Sequence, residues 1–161
     1  MARSVVVVGV DGTPSARAAL GWAGSWATLI GAELRAVYVI SPPHLDPSSW
    51  YPGVADWASY DEATADDRER MAVTRMFDEL HSGPRWTLET VRGPAGPVLI
   101  EASEGAGLLV VGTRHLRGLK RVLDGSVSEY CLRHSVCPVV VVPAPSVVDT
   151  AVHDGRVAAG Q

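Results

Sequence analysis

Four short runs of the chain are almost purely apolar and dense in β-branched residues: SVVVVGV over 4–10, LRAVYVI over 34–40, LLVVG over 108–112 and PVVVV over 138–142. Strands apolar at nearly every position bury both faces, the mark of a parallel sheet covered by helices on each side. A fifth run, RWTLETV over 85–91, alternates apolar and polar residues and reads as a weaker strand. The segments between carry helical spacing. Thr13 is placed to cap, Pro14 suits the first turn, and Gly31 is a stop for the helix they bound. Ala16, Ala19, Leu20, Ala23, Ala27 and Ile30 fall near one face of that helix. A second helix is expected over 60–81, with Met71, Val73, Met76, Phe77 and Leu80 supplying apolar contacts, and a short third over 97–106. A fourth, over 126–134, opens on a Ser126/Glu129 capping box and carries Val127, Tyr130, Cys131 and His134 on one stripe. The order β-α-β-α-β-α-β-α-β specifies a three-layer α/β domain around an open five-stranded parallel sheet, joined by right-handed crossovers.

At 161 residues, 47% hydrophobic and 20% charged, the chain fits one folded domain. That domain is expected to span 1–143, with 144–161 as a flexible C-terminal tail. Fourteen basic against eighteen acidic residues, a net charge of -4, argue against a general nucleic-acid or anionic-membrane binder. No apolar run approaches the roughly 18 residues of a membrane span, so a soluble, cytoplasmic protein is expected. Cys131 and Cys137 lack metal-ligand spacing and read as reduced structural thiols. The long Pro- and Trp-rich segment 41–59 follows the end of a strand, the edge at which open α/β sheets bind ligands. Trp50 and Trp57 there serve either as a lid or partner surface, or simply to pin the segment down.

Standard phosphate loops are absent: there is no Gly-x-x-x-x-Gly-Lys-Ser/Thr and no Gly-x-Gly-x-x-Gly after a strand. Zinc-protease and nucleophile-elbow motifs are absent too, and His134 reads as a packed or last-turn residue rather than a catalyst. What remains is Gly112, then a basic segment with Arg114, Arg117, Lys120 and Arg121, then Gly125-Ser126 at a helix start. Unpaired N–H groups at a helix N-terminus suit a phosphate, although a Gly-Ser pair also simply starts helices. Asp11, directly after the first strand, can accept from an adenine amino group or a ribose hydroxyl, and can equally form an Asp-Gly turn that caps the next helix.

The stretches VVVVGVDGTPSARAALGWA over 5–23, AVYVI over 36–40 and VVGTRHLRGLKRVLDGSVSEYCLRHSVCPVVVV over 110–142 resemble the universal stress protein family, a likeness running from Val5 to about Pro143. The resemblance implies a Rossmann-like sheet of the adenine nucleotide alpha hydrolase kind, with strand order 3-2-1-4-5. It also implies a homodimer formed largely through Val139, Val140, Val141 and Val142. In the family's ATP-binding branch it implies the pattern Gly, two residues, Gly, nine residues, Gly-Ser or Gly-Thr. Gly112 matches the first Gly and Gly125-Ser126 the final pair, while His115 stands where the middle Gly is expected. Asp11, between Val10 and Gly12, matches the acid that contacts adenosine, and Val39 the position whose backbone reads adenine. Val127 and Ser128 match the residues opening the phosphate-side helix, and Arg114 and His115 complete the implied site.

If the middle position needs a positive φ, a side chain there costs roughly 1–2 kcal/mol. His tolerates that conformation better than most residues, and its imidazole can face a phosphate. Two functions follow. One is an ATP-binding regulatory protein of the stress response, with Mg²⁺ on the phosphates and slow or no hydrolysis, because no residue is an evident general base. The other is a nucleotide-free dimeric interaction module in which His115 closes the site. A hydrolase or flavin-type carrier rests on fold analogy alone. No catalytic residue and no metal ligand is assigned.

Overall fold

Each apolar run becomes a strand in the computed structural model, which describes residues 4–41, 62–113 and 127–145. The strands are β1 (Val5–Val10), β2 (Glu33–Ile40), β3 (Trp86–Arg92), β4 (Leu108–Thr113) and β5 (Val139–Pro143). The helices between them are α1 (Pro14–Ile30), α2 (Glu62–Leu80), α3 (Ala95–Ala102) and α4 (Val127–His134). All ladders are parallel and the strand order is β3-β2-β1-β4-β5. Period-two alternation splits the apolar runs between two cores. Val6, Val8, Val10, Leu34, Ala36, Tyr38 and Val110 meet α1 and α2 on one face. Val7, Val37, Leu109 and Val111 meet Leu99 of α3 and Cys131 of α4 on the other. Among the described residues no helix is long and apolar enough to cross a membrane.

α1 is bounded as its sequence asks. Thr13 is extended and its hydroxyl accepts from the Ala16 N–H at 3.3 Å, Pro14 opens the first turn, and Gly31 closes the helix at φ 68. Ser126 and the capping box that it would form lie outside the described residues, as do 42–61 and the tail from 146.

Several side chains differ from expectation. Ile30 and Met71 are exposed. Ile30 is the last residue of α1, a turn past Ala27, where the sheet contact ends. Met71 lies two residues, about 200°, round the helix from buried Val73 and so points away. α3 starts at Ala95 and stops at Ala102, where the Ser103 N–H bonds back to Leu99 and Ile100 and Gly105 turns the chain at φ 73. Of the stripe expected on α4, only Cys131 is fully buried. The Tyr130 ring covers Gly96 of α3, where an added β-carbon would come within 2.6 Å of it, and exposed His134 stacks on Tyr130 at 4.1 Å.

The two sheet edges are unlike. β3 presents exposed Thr87, Glu89 and Arg92, and Glu89 pairs with Arg35 at 3.4 Å. β5 carries four half-buried valines and no charge: Val140 and Val142 pack on the α1 side and Val139 and Val141 on the other, so its apolar run is covered in part on both faces, as the outermost strand of the sheet.

Candidate functional site

The chain runs outward from β1 to β2 and β3, then crosses back to place β4 on the other side of β1. β1 and β4 therefore diverge at the topological switch point, where open α/β sheets bind ligands at the carboxyl ends of their strands. A cleft of about 420 Å³ lies there, lined by residues 9–11 of β1 and its exit, 37–41 of β2 and its exit, and Val111 and Gly112 of β4. Ser15 and Ala16 of α1, Glu69 of α2, Ala95 and Leu99 of α3, and Val127 of α4 complete the wall. Its size is that of small-molecule sites.

Asp11 leaves β1 into this cleft, and its Oδ1 accepts from the Thr13 N–H at 3.0 Å and from the Thr13 hydroxyl. Thr13 in turn caps α1 and lies 3.0 Å from the Ser15 hydroxyl. The turn that caps the helix thus also fixes the carboxylate at the cleft. β2 outruns β1: the β1 ladder ends at Val10↔Tyr38, while pairing with β3 continues through Val39↔Val91 to Ile40↔Arg92. Val39 and Ile40 therefore pass the end of β1 and turn a main-chain edge toward the cleft. Gly112 brings β4 against the first turn of α1, since a β-carbon there would stand 2.6 Å from the Ser15 carbonyl oxygen.

Of the residues singled out by sequence, Val10, Asp11, Val39, Gly112 and Val127 share the cleft. Gly12 does not; it lines the neighbouring groove between α1 and α2, because the chain has already turned toward α1. Ser128 is buried behind Val127. Arg114, His115, Gly125 and Ser126 lie outside the described residues. The described wall carries two carboxylates, Asp11 and Glu69, and no basic side chain. Among the described residues no group of three or more His, Cys, Asp or Glu is placed to hold a metal ion. Glu69 and Leu99 escaped sequence reading, since nothing local marks where α2 and α3 cross the strand ends. Ser15 and Ala16 carried a usable signal: the helix following β1 must begin at the sheet's carboxyl edge.

The fold and the cleft define a Rossmann-like α/β protein built on one five-stranded parallel sheet, and sequence comparison narrows the class. Residues 3–143 match the model of the universal stress protein family. The chain is 33% identical over 156 residues to a universal stress protein of Mycolicibacterium smegmatis, covering 94% of this chain and 51% of that protein. It is likewise 33% identical over 144 residues to one from Mycobacterium tuberculosis, covering 85% of this chain and 46% of that protein. Among solved structures it is similar to a universal stress protein crystallised in complex with cAMP, at 26% identity and a TM-score of 0.60, covering 88% of this chain and 98% of that one. The chain belongs to the universal stress protein family. It spans about half the length of the curated relatives it matches.

Proposed function

We propose that the cleft binds an adenine nucleotide, ATP with Mg²⁺ on its phosphates, and that the protein is a cytoplasmic homodimeric regulator of the stress response with slow or no hydrolysis. One observation carries this reading: Asp11 and the overrunning edge of Val39 and Ile40 converge at the switch point. The edge offers main-chain donors and acceptors to a base, and the turn-fixed carboxylate accepts from an adenosine donor group. Val10 and Gly12 bracket that carboxylate. The similar protein crystallised with cAMP supports an adenine ligand. The described wall is acidic, so compensation for the phosphates falls to Arg114, His115 and the Gly125-Ser126 pair, with Val127 and Ser128 opening the helix beyond. The homodimer forms through the uncharged β5 edge, residues 139–142.

Isothermal titration with Mg-ATP, ADP and cAMP is the test, run on the unaltered chain, Asp11→Ala and His115→Gly. Saturable micromolar binding, weakened roughly tenfold or more by Asp11→Ala, is expected, the loss of about one good hydrogen bond to a charged group. Binding by neither the unaltered chain nor His115→Gly overturns the reading. The acidic wall favours a second reading, a nucleotide-free interaction module. Binding by His115→Gly alone would establish it.

A further inference from the structure

Trp22 and Trp26 stack on each other along α1, ring centroids 5.8 Å apart and planes 11° apart. They remain 39% and 40% exposed, beside exposed Leu29 and Ile30. Large apolar groups clustered in water mark an interaction surface. Helix geometry gives their direction. Arg17 pairs with Glu79 of α2 at 2.8 Å, and the Trp86 ring of β3 lies against Gly24, so one flank of α1 faces α2 and β3. At about 100° per residue, Trp26 stands about 180° round from Arg17 and Trp22 about 160° from Gly24. Both rings are therefore on the opposite flank. α1 packs across β1, β4 and β5, so that flank borders the open edge of β5. The other face of the sheet repeats the arrangement. Tyr130 turns toward α3 over Gly96, and half-exposed Leu132, about 200° further round, looks away from α3. Val136, 81% exposed, lies three residues before the start of β5.

We infer that a second copy of this chain covers the Trp22–Trp26 ridge, α1 against α1, on the same side of a sheet continued through β5. This rests on the homodimer reading and adds to it the residues that hold the pair together. Antiparallel pairing of two β5 edges about a two-fold axis sets the two α1 helices side by side with their β5 flanks facing. A two-fold contact uses the same patch twice, and a stacked pair of flat rings is self-complementary. Of the two edge strands described, β5 is the one suited to extension, since β3 bears Glu89 and Arg92. The chain beyond Pro145 starts from the same edge and is the rival occupant.

Sedimentation equilibrium on the full chain and on the double variant Trp22→Gln/Trp26→Gln tests this. The variant should raise the dimer dissociation constant roughly 100-fold, as two central tryptophans do at an interface, with an unchanged circular dichroism spectrum. Hydrogen exchange on the unaltered chain is the second readout: residues 22–30 and 139–142 should gain protection together as concentration rises. Unchanged dimer affinity in the variant, or protection at 139–142 alone, overturns the ridge while leaving the homodimer standing. A full chain still monomeric at about 100 μM, weaker than a specific interface gives, removes both. Greater acrylamide quenching on ending the chain at Pro145, with no change in mass, gives the ridge to the tail and also overturns the inference.

Discussion

A β-carbon built on Gly112 would stand 2.6 Å from the Ser15 carbonyl oxygen and 3.0 Å from the Ala16 nitrogen, both main-chain atoms that cannot swing aside. Strand–helix packing therefore demands this glycine whether or not a nucleotide ever binds. Gly112→Ala should cost about 1–3 kcal/mol, as overpacking does, read as a lower urea midpoint in ligand-free protein. Thr13 joins two duties in the same way, and Thr13→Ala should cost about 1 kcal/mol of stability and also weaken nucleotide binding by loosening Asp11. Cys131 offers a pH signature. Burial, and secondarily the neighbouring Cys137, raises its thiol from 9.0 to about 11. Below pH 9 folded and unfolded chains both hold the proton, so the group has no effect. Between 9 and 11 the unfolded chain loses a proton that the folded chain keeps, and stability falls by up to about 1.4 kcal/mol per pH unit. Urea titrations at pH 8 and pH 10 should show this fall in the parent and a smaller one in Cys131→Ala.

At the level of elements, the strand core was readable because β-branched runs have few other uses. Val6, Val8, Val110 and their neighbours declare burial by composition alone. Helix faces were readable only where a long stripe averages out error, as on α1, whose Ala16, Ala19, Leu20, Ala23 and Ala27 are all buried. Met71 and the α4 stripe failed because a short or marginal face is decided by the neighbour it meets, here Tyr130 against Gly96. Half of the cleft was readable for a related reason. Asp11, Val39 and Gly112 sit at strand ends, which sequence locates well, whereas Glu69 and Leu99 arrive by helix crossing, which it does not. The aromatic pocket joining α1, α2 and β3 likewise exists only in three dimensions. Trp86 lies 6.2 Å from Phe77 and 6.0 Å from His81, against Gly24. Trp86→Ala should cost about 3 kcal/mol in a denaturant titration, near the lower end for large-to-small aromatic changes because the ring is only partly buried.

Across the whole molecule, a ligand that selects the folded state raises stability by mass action. Mg-ATP at about 100 times its dissociation constant should add roughly 2.7 kcal/mol, several degrees in a thermal melt, and a tenfold weakening by Asp11→Ala should remove about half of that shift. The same sheet also governs how far assembly can go. One edge is uncharged and the other bears Glu89 and Arg92. If two copies join through β5, as proposed, both uncharged edges are consumed and charged strands stand at the two ends of a ten-stranded layer, so growth would terminate at a pair rather than propagate into a fibre. Glu89→Val/Arg92→Val should remove that stop and give concentration-dependent species larger than a pair in light scattering.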